Sequence, residues 1–285
     1  MRLAVLGLGN MGRAFAALAL EKGHHVTVWN RSANHASDLV SQGAIEADTP
    51  KAAVADCEVT LIVVADDDAV LSVCHGSGGV LGALPPGATL AIVSTVAPET
   101  VRQLAGAGPR DGVLDSPVMG SPSLVAAGMG SFLIGGPLPT VSALDSLWSD
   151  LGSGYTYCGE VGSGATMKIV SNLLLITGVT ALAEAIATAR QQGIADDLLK
   201  GVLADSFVVS PASKIRLDSL FDASHPGWFT PALARKDVRL AIGLAEEAGV
   251  GVRIGPATEA LLSEVIETDD AWPDFSAVIE ALSRR

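Results

Sequence analysis

The first half of the chain alternates two rhythms. Short apolar runs, RLAVLGLG, HHVTVWNR, VTLIVVA and ATLAIVST, are separated by small-residue stretches with helical spacing, such as NMGRAFAALALEKG and the segment near HASDLVSQG. Strand-sized runs alternating with helix-sized ones predict a parallel sheet with crossover helices. GVLDSPVMG extends the series, and FLIGG and YTYCG read as late strands. Beyond GEVGSG the strand rhythm stops, and residues 165–192, 196–206, 231–248 and 256–266 read as helices punctuated by Gly and Pro. The expected fold is α/β: a doubly wound Rossmann sheet in residues 1–160, then an all-helical domain in residues 161–285. No segment repeats at a fixed period.

Composition narrows this picture. Of 285 residues, 49% are hydrophobic and 17% charged, enough apolar material for a substantial core. A net charge of −13, without a Lys/Arg cluster longer than a pair, argues against a nucleic-acid partner, which needs a basic face. The first strand starts at Arg2 with no signal-like segment before it, and the three cysteines, Cys57, Cys74 and Cys158, match neither a disulfide framework nor a zinc pattern. A cytoplasmic protein with core-packing thiols is expected. The most apolar segment, 173–189, contains Glu184 and small residues at packed-helix spacing, so a buried helix is expected rather than a membrane span.

Gly7-Leu8-Gly9-Asn10-Met11-Gly12 follows the apolar run LAVL and opens a helical stretch. In that context, glycines permit a tight turn and close approach of a pyrophosphate, whose charge the N–H groups at the helix start can bind. About twenty residues on, an NAD site would place Asp or Glu for the ribose 2′-hydroxyl. Here the second strand ends in Asn30-Arg31-Ser32. A guanidinium with an amide and a hydroxyl beside it suits a 2′-phosphate, which predicts NADPH over NADH; a solvated loop arginine is the alternative.

Lys168 and Asn172 are four residues apart on a predicted helix, hence on one face, with Ser171 nearby. A lysine withdrawn from water can pass a proton to a carbonyl oxygen as hydride reaches the carbon, and an amide on the same face can orient the substrate. By itself the pair also fits a lysine whose head reaches back to solvent.

Six stretches in order, GLGNMG with WNR, VSTVAPET, DSPVMGSP, GSGATMKIVSN, ALARKDVRLA and DFSAVIEAL, give the chain a resemblance to the β-hydroxyacid dehydrogenase family over nearly its whole length. That family includes 3-hydroxyisobutyrate dehydrogenases, tartronate semialdehyde reductases and glyoxylate or succinic semialdehyde reductases. The resemblance implies Lys168 as the catalytic lysine, Asn172 as a substrate-binding amide, and Thr95 and Lys236 near the nicotinamide end, with Asp237 supporting Lys236. It also implies a long helix joining the two domains, and a homodimer or homotetramer through the helical domain.

The substrate loop departs from the family's D-A-P-V-S-G-G: here it reads Asp115-Ser116-Pro117-Val118-Met119-Gly120-Ser121-Pro122. Methionine replaces the carboxylate-binding serine, with Ser121 and Ser123 next in line. Met119, Gly120 and Ser121 are therefore the substrate-loop candidates, and an apolar methionine favours a more hydrophobic ligand. The loop resembles that of imine reductases, which lack the lysine. The expected activity is NADP-dependent hydride transfer to an aldehyde or ketone, with imine reduction and a non-catalytic dinucleotide-binding role as alternatives.

Three further features receive bland readings. Asp66-Asp67-Asp68 is expected to be a helix cap or solvated loop rather than a metal site, because adjacent carboxylates seldom aim at one ion. His24-His25 is expected to be structural or on the surface. Trp228 and Phe229, eight and seven residues before Lys236, fit either pocket lining or core packing.

Overall fold

A computed structural model describes residues 1–285 apart from 33–34, 76–77, 110, 269–270 and 283–285. The chain divides into two compact units, Met1–Lys168 and Ile169–Arg285.

The first unit is built on nine strands among its described residues: β1 Arg2–Leu6, β2 His25–Trp29, β3 Ile45–Glu46, β4 Val59–Ile62, β5 Thr89–Ile92, β6 Val113–Asp115, β7 Val118–Met119, β8 Ser131–Gly135 and β9 Tyr155–Gly159. They pair in the order β3-β2-β1-β4-β5-β6-β8-β7, with β9 beside β8. The strands from β3 to β6 run parallel, while β8 is antiparallel to β6 and β7. Strand order reverses at β1, which has β2 on one side and β4 on the other; ligands of such sheets bind beyond the carboxyl ends of the strands at that switch.

Among the described residues, eight helices connect the strands: α1 Asn10–Glu21, α2 Ser37–Ser41, α3 Pro50–Val54, α4 Asp67–Cys74, α5 Pro98–Ala107, α6 Pro122–Ala126, α7 Leu138–Ala143 and α8 Asp145–Leu151. Alternation along β1 separates two cores. Leu3 and Val5 join Phe15 and Leu18 of α1 and Trp148 of α8, while Ala4 and Leu6 face Val54, Val70 and Val101 from α3, α4 and α5. Phe132 lies between Phe15 and Trp148, with ring centroids 5.6 and 5.2 Å away.

GVLDSPVMG is not one strand. It splits into β6 and β7 around Pro117, which has no N–H to offer a ladder but whose carbonyl accepts the Leu133 N–H at 2.9 Å.

The long helix α9, Ser163–Gln191, runs from the first unit into the second. Its length, and a mean hydropathy of 1.8 over its most apolar 18 residues, would suit a membrane span, but Ile176, Val179, Ala183 and Ile186 enter the core of the second unit. That unit continues with α10 Asp196–Asp205, α11 Pro211–Lys214, α12 Leu217–Phe221, α13 Pro231–Glu247, α14 Ile254–Thr268 and, after the 3₁₀ turn Phe275–Ala277, α15 Val278–Leu282. Ala234 and Val238 of α13, Leu262 of α14 and Phe275 complete its core. No strand follows Gly159 among the described residues.

Candidate functional site

At the end of β1 the chain turns on Gly7, whose φ is +99° and whose N–H donates to the Trp29 carbonyl at 2.9 Å. A Cβ on Gly7 would lie 2.3 Å from the Val63 oxygen, and one on Gly12 would lie 1.8 Å from the Gly7 oxygen. Both glycines are required by close backbone approach. Gly9 differs: a Cβ there would meet nothing within 4 Å. It is the N-cap of α1, and no side chain caps that end. The space beside Gly9 and the N–H groups of Asn10, Met11 and Gly12 therefore suit the pyrophosphate of a dinucleotide, held by backbone donors and the helix dipole. Met11 packs its side chain against the core beneath.

The far side of this turn is held by Asn30. Its Oδ1 accepts the Leu8 N–H at 2.9 Å, and its Nδ2 donates to the Ser32 carbonyl at 3.0 Å. Arg31 and Ser32 are exposed.

The loops after β4 and β5 are tied together. Ser94 Oγ accepts the Val64 N–H at 2.8 Å. Asp66 caps α4 through the Ala69 N–H at 2.8 Å, matching the cap reading. Asp67 does more than was expected of it: its Oδ1 accepts the Ala97 N–H at 2.8 Å and the Thr100 hydroxyl at 2.6 Å. Thr95, half-buried, lies in the segment between these two anchors. No group of three or more His, Cys, Asp or Glu side chains suited to a metal occurs among the described residues.

Asp115, at the end of β6, is fully buried. Its Oδ1 accepts the Gly162 N–H at 2.8 Å and its Oδ2 the Ala165 N–H at 2.7 Å, so this carboxylate fastens the first turn of α9. Burial pushes its carboxyl above the ordinary value, against the opposing pull of the N–H groups of Gly162 and Ala165. Met119, at the end of β7, is 39% exposed, and Gly120 follows with a φ of +145°. Ser121 is the N-cap of α6: its Oγ accepts the Leu124 N–H at 3.1 Å and shares a 2.8 Å hydrogen bond with Ser123 Oγ. Its hydroxyl is thus engaged in fold-building contacts.

Lys168, half-buried, lies one turn before Asn172 on α9. Asn172 is buried, and its amide nitrogen donates to Asp237 Oδ2. The other oxygen, Asp237 Oδ1, lies 2.8 Å from Lys236 Nζ. The second unit thus brings Asn172, Lys236 and Asp237 together; a buried carboxylate needs this combination of a cation and a hydrogen-bond donor.

Trp228 and Phe229 take part in packing. Phe229 meets Phe275 edge-on at 5.3 Å, and the buried Arg216 guanidinium lies 4.9 Å from the Trp228 ring and 4.6 Å from Phe275. Arg216 Nε donates to Asp274 Oδ1 at 3.1 Å. Two further acidic contacts are structural: His24 lies 3.2 Å from Asp150, and His225 3.1 Å from Glu280. Cys57 and Cys74 are buried thiols, pushed by burial up to about 11 and about 12.

A reversed parallel sheet, a glycine turn at its switch and an uncapped helix above that turn are the features of a dinucleotide-binding Rossmann fold. Residues 2–159 match the family described as the NAD binding domain of 6-phosphogluconate dehydrogenase, and residues 162–282 that described as NAD-binding of NADP-dependent 3-hydroxyisobutyrate dehydrogenase. Glyoxylate/succinic semialdehyde reductase 1 of Arabidopsis thaliana is 31% identical over 286 residues, covering 99% of this chain and 98% of that one. Among solved structures, the Mycobacterium tuberculosis 3-hydroxyisobutyrate dehydrogenase with L-serine superposes with a TM-score of 0.81 at 25% identity, covering 100% and 99% of the two chains. The reductive aminase of Aspergillus terreus with NADPH and ethyl levulinate gives 0.62 at 26%, covering 98% of each. The chain belongs to the β-hydroxyacid dehydrogenase family of NAD(P)-dependent dehydrogenases and reductases.

Proposed function

We propose that the protein is an NADPH-preferring reductase that interconverts a small aldehyde or ketone, of the semialdehyde class, with its hydroxy compound. The observation that carries this reading is the placement of Lys168 one helical turn before Asn172, downstream of a glycine turn suited to a dinucleotide. NADPH, when bound, supplies the hydride. Lys168 Nζ gives a proton to the substrate oxygen in reduction and takes it back in oxidation. Asn172, its nitrogen fixed on Asp237, helps orient the substrate, and Lys236 and Thr95 take the nicotinamide-end roles that the family resemblance implies. Met119 and Gly120 give the substrate loop an apolar lip where a serine would grip a carboxylate.

The preference for NADPH rests on Arg31, exposed at the end of β2 where the ribose 2′-position is expected. Arg31→Ala should raise the Michaelis constant for NADPH several-fold and leave that for NADH nearly unchanged. Equal effects on both would remove Arg31 from the phosphate site.

Residues 1–160 act as the NADP-binding domain and 161–285 as the substrate and dimerisation domain. A homodimer or homotetramer is supported by α10, which buries none of its residues: Leu198 and Val202 are 61% and 60% exposed, and Phe207 and Val208 just beyond are 96% and 75% exposed. An apolar row of this kind suits a second copy better than water. Three free cysteines accord with a cytoplasmic location.

The Met119-Gly120-Ser121-Pro122 loop favours imine reduction as the second reading. Initial rates with NADPH and NADH on succinic semialdehyde and on a cyclic imine separate the two. Faster semialdehyde turnover that depends on Lys168 supports the carbonyl reductase. Faster imine turnover with little dependence on Lys168 favours the alternative, and tight NADPH binding without turnover of either points to a non-catalytic role.

A further inference from the structure

Arg13 stands in the first turn of α1, one residue beyond the last glycine of the turn, and its N–H closes on the Gly9 carbonyl at 3.0 Å. Its guanidinium leaves the helix sideways. Nη1 donates to the His35 carbonyl, and Nη2 pairs with the Asp38 carboxylate near the start of α2. Asn30 is tied to the glycine turn through the Leu8 N–H, and His35 and Asp38, which follow Asn30-Arg31-Ser32 in the sequence, are tied to α1 through Arg13.

Charge gives the second fastening a further meaning. Between residues 30 and 38 the ionisable side chains other than His35 are Arg31 and Asp38, one of each sign. A carboxylate left unpaired seven positions after Arg31 would weaken the positive field that a phosphate dianion meets there, an effect that falls off over about 8–10 Å at moderate salt. Arg13 cancels that carboxylate.

We infer that Arg13 is a positioning residue for cofactor choice: by pairing with Asp38 it removes a negative charge that would weaken the hold of Arg31 on a ribose 2′-phosphate. This rests on the reading of Arg31 as the 2′-phosphate group. Arg13 acts through its neighbours and does not touch the cofactor.

The test is the dissociation constants of NADP⁺ and NAD⁺, measured by titration calorimetry, for the unaltered chain and for Arg31→Ala, Arg13→Ala, Asp38→Asn and the double variant Arg13→Ala/Asp38→Asn. Arg13→Ala should weaken NADP⁺ about fivefold, the scale of an exposed ion pair, with NAD⁺ unchanged, and adding Asp38→Asn should recover most of the loss. NAD⁺ binding serves as the control that each variant folds. Equal weakening of both cofactors, or of neither, overturns the inference. A selective loss that Asp38→Asn does not repair also overturns it, since the charge of Asp38 would then not be what Arg13 counters. If Arg31→Ala fails to distinguish NADP⁺ from NAD⁺, the reading of Arg31 fails and this inference with it. If Arg31→Ala distinguishes them and Arg13→Ala does not, only the role of Arg13 fails.

Discussion

Lys168→Ala is expected to leave a protein that binds NADPH with nearly its original affinity and turns over its carbonyl substrate about 10²- to 10⁴-fold more slowly, the range typical of a lost general acid or base. The side chain lies on α9, well along the chain from the glycine turn and the Arg31 segment that would hold the cofactor, so binding and chemistry should separate. Single-turnover kinetics beside a fluorescence titration with NADPH would measure both. Full turnover in the variant would refute the assignment; parallel loss of binding and turnover would mean that the lysine supports the fold or the cofactor instead.

Asp115→Ala should lower stability sharply. The buried carboxylate accepts the N–H groups of Gly162 and Ala165, and each donor left unpaired costs about 1–3 kcal/mol. Thermal unfolding should show the drop, and Asp115→Asn, which keeps one acceptor oxygen, should lose less. The pH dependence has a definite sign. Burial raises the carboxyl in the folded chain, so its contribution to stability is fully present below the ordinary carboxylate value and is lost as pH rises through the raised one. The difference in melting temperature between the unaltered chain and Asp115→Asn should therefore fall with rising pH across that window. A difference that grows instead would show that the N–H groups outweigh burial.

Much of the fold could be read from hydrophobic rhythm alone. β1, β2, β4 and β5 are apolar runs bounded by turns, and α9, α13 and α14 are long enough for helical periodicity to be plain. β3 could not be read this way, because Ile45–Glu46 is two residues long and both are exposed. The short helices α3, α6 and α11 carried a different signal. Thr49-Pro50, Ser121-Pro122 and Ser210-Pro211 each put a hydroxyl at the N-cap and proline in the first turn, and the hydroxyls accept the N–H groups of Ala52, Leu124 and Ser213. The same pair, Thr230-Pro231, opens α13. Taken with this pattern, Ser121 is a helix cap before it is a candidate ligand for substrate.

At the candidate site, spacing made visible what is local: the glycine turn, and Lys168 with Asn172 one turn apart. Contacts between distant segments were hidden. The bond from Asn172 to Asp237 spans 65 positions, and the hold of Asp67 on Thr100 spans 33. Asp115 appeared in the quoted substrate loop, yet nothing in the sequence pattern tied it to Gly162 and Ala165.

The same tie bears on how the chain can be taken apart. A fragment ending at residue 160 would keep every strand and all of α1 to α8, but would strand the Asp115 carboxylate inside the protein without its two donors. The first turn of α9 belongs, by its bonding, to the part of the chain that precedes it. An autonomous N-terminal piece must carry that turn along, so the seam for dissection, circular permutation or domain exchange lies inside the helix, after Ala165, rather than in the loop ahead of it.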